Sequence, residues 1–293
     1  VGVGNLHGTG AVRHRPPLDR TARWRRWRAV RPPLAGPAVS DPRGSALCDP
    51  LAPEESSVNP ANDRKTSLAN GRLWGARARD WADVQEGQCS AAYDAVFDSL
   101  SLRPGTRYCD VGCGAGMAAL LASRRGAEVS GVDAAESLLG IARERVADAD
   151  FRHGDLEELP FPDGTFDVVT GFNSFQFAAN PVAALAEARR VSKPAGRIVV
   201  LTWGNPQGME AAALVTALRP LLPPPPPGSP GPFALSDESA LISLAARAGL
   251  TALEVSDVAC EWHYPDLPTA LRGLGASGGA ARASEHAGVD AVD

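Results

Sequence analysis

Lysine is nearly missing from this 293-residue sequence. Only Lys65 and Lys193 occur among 29 basic residues, and the remainder are arginine. With abundant alanine, glycine and proline, this is the mark of a G+C-rich coding bias, so an arginine here says less about function than usual. Cysteines are few and odd in number (Cys48, Cys89, Cys109, Cys113, Cys260) and form no C-x-x-C pair. That argues against a disulfide framework or a zinc site and suits a reducing cytoplasm. No apolar run approaches the roughly 18 residues that a membrane span needs. Nor is there a net positive charge to hold nucleic acid: the formal charge is -5. What remains is the composition of one mildly acidic, soluble globular domain with flanking material, 44% hydrophobic and 22% charged.

The chain divides into unequal parts. Residues 1–70 are rich in arginine and proline, with nine arginines between Arg13 and Arg43 against Asp19 and Asp41. Such a segment buries too little apolar surface to offset its ordering entropy and is expected to be disordered. Arg25-Arg26 is followed by no apolar region, so a targeting peptide is not indicated. A start codon placed too far upstream, at Val1, would account for the segment equally well. Residues 71–104 read as a helical cap, with order beginning near Leu73: Trp74, Ala78, Trp81 and Ala82 share one face, and Tyr93, Val96, Phe97 and Leu100 form a second stripe.

From residue 105 to 205, short apolar runs alternate with helical stretches. The runs are Tyr108–Val111, Glu128–Val132, Asp150–Arg152, Phe166–Thr170 and Arg197–Trp203; the helices are Met117–Arg125, Glu136–Val146 and Pro181–Ser192. This alternation predicts an α/β fold with a doubly wound, mostly parallel sheet, and a ligand at the carboxyl ends of the strands. The stretch after the first run, Asp110-Val-Gly-Cys-Gly-Ala-Gly116, lies at that place. Gly112, Gly114 and Gly116 allow a tight turn and let backbone N–H groups come near a ligand. Dinucleotide-binding proteins also use glycine turns, but their sixth position requires glycine and here is Met117; no G-K-[ST] follows either.

The pattern D-x-G-x-G-x-G at Asp110–Gly116 resembles the first motif of class I S-adenosylmethionine-dependent methyltransferases. "VSGVDAA", ending a second strand in Asp133, "RHGDLEELPFPDGTFDVV" around Asp155, and "KPAGRIVVLTW" are similar to that family's later motifs, in order and at matching separations. The resemblance covers about Leu73 to Val258 and is nearest to the small-molecule methyltransferases of ubiquinone and menaquinone biosynthesis. It implies S-adenosyl-L-methionine as cofactor and a small-molecule methyl acceptor. It further implies that Asp110, Gly112, Gly114 and Gly116 form the cofactor loop, that Asp133 with Ala134 holds the ribose, and that Gly154, Asp155 and Leu156 hold the adenine. Trp81, Phe172 and Asn173 would stand near the methionine end. No metal is implied.

Methyl transfer from a sulfonium needs positioning and water exclusion more than a base. If a base serves, His153 and His263 are the candidates; as isolated residues they read as surface or packing histidines. Phe172, Phe175 and Phe177 are either pocket wall or core, and Cys113 is filler. Residues 206–293 hold a proline-rich connector (Leu221–Phe233), a helix capped by Ser236, a sixth strand and a substrate-site insertion at "LPTALRGLGASG". The family's seventh, antiparallel strand is not visible. The expectation is a shortened chain with an incompletely paired sheet, a liability at an exposed edge. Two other readings stay open: a cofactor-binding protein without turnover, and a nicotinamide-dependent oxidoreductase, which Met117 disfavors.

Overall fold

The computed structural model describes residues 27–31, 66–224 and 232–292. The strands are β1 (Trp27–Arg31), β2 (Arg107–Val111), β3 (Glu128–Asp133), β4 (Asp150–His153), β5 (Phe166–Phe172), β6 (Ser192–Leu201) and β7 (Thr251–Ser256). The helices are α1 (Ser67–Gly75), α2 (Ala78–Asp80), α3 (Ser90–Leu100), α4 (Met117–Arg124), α5 (Glu136–Arg145), α6 (Pro181–Val191), α7 (Ala212–Leu218), α8 (Glu238–Arg247), α9 (Leu267–Leu274) and α10 (Gly278–Ala287).

All strands join one sheet in the order β4-β3-β2-β5-β6-β1-β7. The pairs from β4 through β6 are parallel. Neighbouring residues of the central strands go to opposite faces, as a strand buried on both sides requires. Tyr108, Val168 and Val199 pack with α3, α4 and α5, whereas Cys109, Val169, Ile198 and Val200 pack with α6 and α8. Sheet order turns back on itself at β2, whose neighbours are β3 on one side and β5 on the other. The loops after β2 and β5 therefore part company there and leave a crevice.

The expected doubly wound, mostly parallel α/β sheet is thus present, and β2 to β5 fall within two residues of the predicted runs. Other expectations need correction. After β7 the chain runs into α9 and α10 with no further strand among the described residues. The sheet is nevertheless not left open between β6 and β7, because β1 lies antiparallel to both, pairing Ala29 with Val199 and with Glu254. Trp27–Arg31, placed in a segment expected to be disordered, are therefore a strand; residues 1–26 and 32–65 lie outside the described residues. Order resumes with α1 at Ser67 rather than near Leu73.

The cap also differs from the two uniform helices expected. Beyond α2 the chain makes a π-helical turn at Trp81–Gln85 and a 3-10 turn at Glu86–Cys89 before α3. β6 starts at Ser192, so Lys193-Pro194-Ala195-Gly196 lie within a strand, with a register shift opposite Phe166–Val168. The cap of α8 is Asp237, whose side chain accepts from Ala240 N at 3.0 Å; Ser236 is buried instead. Most of the proline-rich connector, residues 225–231, lies outside the described residues. No described helix is long and apolar enough to cross a membrane.

Candidate functional site

A cavity of about 400 Å³ opens at the carboxyl ends of β2, β3 and β5. Gly112, Gly114, Asp133, Ala134, Leu156, Phe172, Asn173 and Trp81, all named from sequence, line it. Asp110, Gly116, Gly154 and Asp155 belong to the same loops but are not part of its wall.

The three loop glycines all have positive φ, +77° at Gly112, +55° at Gly114 and +82° at Gly116, yet they serve different neighbours. A Cβ on Gly112 would lie 2.4 Å from that of Ser174, and one on Gly116 would lie 2.9 Å from that of Ala142. These two positions thus let β5's loop and α5 pack against the turn. Gly114 faces Trp81 and the cavity.

The loop's N–H groups are turned inward rather than offered to a ligand. Gly112 N and Cys113 N donate to Val132 O at 2.7 and 3.0 Å, and Gly116 N donates to Cys113 O at 3.0 Å. Gly114 N donates to Asp133 Oδ2 at 2.8 Å. At the N-terminus of α4, Met117 N donates to Glu86 Oε1 at 3.4 Å. An anion arriving here would find its donors already engaged and three carboxylates nearby. Burial, with repulsion from Glu86 and Asp133 added, pushes Asp110 up to about 7 despite the hydrogen bond from Thr170 Oγ1. Burial likewise raises Asp133, against hydrogen bonds from Ala135 N and Gly114 N. Glu86 is balanced by Arg145, so the carboxylates that disfavour an anion at the loop are Asp110 and Asp133.

Asp133 is held by two backbone donors, Gly114 N on Oδ2 and Ala135 N on Oδ1. A carboxylate has about four acceptor positions, so it keeps capacity for two more donors. Asp155 Oδ1 accepts from Glu157 N at 2.9 Å, while its Oδ2 is buried without a partner. Ser174 Oγ, at the cavity, is also unpartnered. Groups of this kind call for a polar ligand or ordered water.

The far side is apolar. Tyr93, Trp203, Leu218, Trp262 and Leu274 come from α3, the end of β6, α7, the segment after β7, and α9. Tyr93 meets Phe172 edge to face at 4.8 Å, and Trp203 meets Trp262 at 6.2 Å. Trp74 also lines the cavity and stands edge-on to Trp81 at 4.9 Å. Phe177 is wall and Phe175 is core.

Neither histidine belongs to the cavity wall. His153 is exposed, with Nε2 3.1 Å from Ala134 O, and His263 is exposed beside Glu261 at 3.3 Å. The ionisable groups that do line the apolar side, Cys89 and Tyr93, are both raised by burial, so neither is a base near neutral pH. Cys113 is buried against Gly131, and burial raises its thiol too. No cluster of metal-ligating side chains occurs among the described residues.

Residues 109–200 match a family described as a methyltransferase domain. The demethylmenaquinone methyltransferase of Renibacterium salmoninarum is 36% identical over 111 residues, which are 38% of this chain and 47% of that protein. The 27-O-demethylrifamycin SV methyltransferase of Amycolatopsis mediterranei is 32% identical over 157 residues, 48% of this chain and 58% of that protein. The chain thus spans about half the length of these curated relatives. Among solved structures, a SAM dependent methyltransferase from Aquifex aeolicus aligns with a TM-score of 0.48 and 18% identity, over 64% of this chain and 98% of that one.

Proposed function

We propose that this protein, whose residues 109–200 match a methyltransferase domain, is a class I methyltransferase that binds S-adenosylmethionine and transfers its methyl group to a small molecule with an apolar body. The observation that carries the reading is the sign of the site. A glycine turn whose N–H groups bond within the protein, with the carboxylates of Asp110 and Asp133 beside it and Glu86 balanced by Arg145, suits a cationic ligand better than the pyrophosphate of a nicotinamide dinucleotide.

The residues present fit the cofactor. Asp133 would accept from the two ribose hydroxyls, Leu156 would flank the adenine ring, and Asp155, just behind the wall, would hold the loop that carries it. Trp81, Trp74 and Phe177 would stand near the sulfonium, where aromatic faces stabilise a cation by about 0.5–2 kcal/mol each. When bound, the cofactor supplies a methyl group already activated on positive sulfur.

The chain's part is then to place an acceptor in line and to keep water out. Tyr93, Trp203 and Trp262 form an apolar chamber that does both, and a charge-dispersing displacement proceeds there without a protein base. Tyr264, its hydroxyl pushed up to about 12 by burial, donates to Gln85 Oε1 at 2.6 Å and fixes that side chain in the wall between the two halves.

Calorimetric titration with S-adenosylhomocysteine tests the reading. Wild type binds, and Asp133→Ala, losing two charge-assisted hydrogen bonds at about 1.5–3 kcal/mol each, binds at least ~100-fold more weakly. A folded wild type that takes up no S-adenosylhomocysteine overturns the proposal. Labelled cofactor incubated with small-molecule extract then identifies the acceptor by its acquired methyl group.

A further inference from the structure

Two rows of side chains run along the cap segment at a spacing of four. Trp81, Gln85 and Cys89 line the cavity. Ala78, Ala82 and Glu86 are buried on the other side, the two alanines against Leu138 and Ile141 of α5. The π turn at Trp81–Gln85 lies between these rows, and such turns store an irregular ladder that packing must hold in place.

The inner row ends in a charge. Glu86 is only 4% exposed and pairs with Arg145 at the end of α5. Arg145 donates to Glu86 Oε2, to Ala115 O of the glycine loop at 2.8 Å, and to Ala82 O of the π turn at 2.8 Å. The other Glu86 oxygen takes the N–H of Met117, and a Cβ on Gly114 would lie 3.2 Å from it. One ion pair therefore joins the cap, the cofactor loop and the N-terminus of α4. Neither partner is part of the cavity wall.

Resting on the reading of this cavity as the cofactor site, we infer that the Glu86–Arg145 pair is a latch that seats the cap on the glycine loop and thereby fixes Trp81 and Gln85 at the wall. Both are positioning residues. Breaking a buried pair leaves one charge uncompensated, so the cap must loosen to let water reach it. Cap seating and cofactor affinity then become one linked equilibrium: a ligand that needs the seated cap also stabilises it.

Amide hydrogen exchange and calorimetry on the full chain, as wild type, Glu86→Gln and Arg145→Met, test the latch. In each variant, exchange over residues 78–89 is expected to accelerate at least tenfold while β2 and β5 amides keep their wild-type rates. Affinity for S-adenosylhomocysteine is expected to fall about tenfold, and saturating ligand to return the cap amides to slow exchange. Unchanged cap exchange in both variants, or acceleration spread evenly over the sheet, overturns the latch. Should wild type bind no S-adenosylhomocysteine while the cap amides still respond, the latch stands and the cofactor reading falls.

Discussion

The two halves of the cavity are made by different means. On one side, loops at the ends of consecutive parallel strands bring glycines and carboxylates together within a continuous stretch of chain, from Asp110 to Asn173. On the other, single apolar side chains arrive from α3, the end of β6, α7, α9 and the segment after β7, far apart in sequence. The first half has a fixed charge pattern that selects a kind of ligand. The second has only size and surface, so it can be altered without touching the first. On the function proposed above, the contrast makes recognition of the cofactor and of the acceptor separable in this molecule.

The largest expected effect would break the negative half. Asp110 has a folded value of about 7 against 3.8 unfolded, so the native state binds more protons between those limits. Its contribution to stability is full below about pH 4 and is lost as pH rises through about 7, by on the order of 4 kcal/mol. Urea midpoints measured across that range should decline more steeply in wild type than in Asp110→Asn, where Asp133 and Glu86 still titrate. Parallel pH profiles would refute the assignment.

Gly112→Ala is next. The added methyl would meet Ser174 and sit at positive φ, a cost of about 3 kcal/mol. Thermal melting and S-adenosylhomocysteine affinity should both fall, whereas a variant melting with wild type would mean that the loop has slack. Trp203→Leu sharpens the comparison from the other side. An apolar fluorescent probe should bind the S-adenosylhomocysteine-saturated variant about tenfold more weakly, at roughly 1.4 kcal/mol, while affinity for the cofactor product stays within about twofold. Loss of both would join the halves again. The smallest effect is expected from His263→Ala, whose ring is exposed and away from the wall. Its methyl-transfer rate should match wild type, and a large loss would restore a histidine base to the mechanism.

The same division decides what could be read from sequence. Gly114 was legible because strand ends in a parallel sheet converge by topology and short-range pattern reveals strand ends, whereas Asp133 and Asn173 came through the resemblance of their motifs to the family's. Trp203 could have been found by the same rule, since it follows β6 as Asn173 follows β5. Leu218, Trp262 and Leu274 could not, because no spacing links residues that meet only after α7, α9 and the segment after β7 have packed. Glu86 looked like any solvated acid in a helical stretch; its burial depends on Arg145, 59 positions away in sequence. The loop glycines were found for an incomplete reason. Backbone approach to a ligand was expected, but the N–H groups go to Val132 and Asp133, and two of the glycines make room for Ser174 and Ala142.

Trp27–Arg31 was missed outright, since five residues flanked by proline and arginine carry no strand signal of their own. Its pairing sets a timetable for assembly. Along the chain this strand precedes the other six described strands, but its two neighbours are Ser192–Leu201 and Thr251–Ser256, the last two of the seven. The parallel pairs from β2 to β4 join strands close in sequence, whereas the antiparallel place is filled only when the first described strand meets the last two. Closing so long a loop is slow, and the first strand in sequence is the last to find its seat.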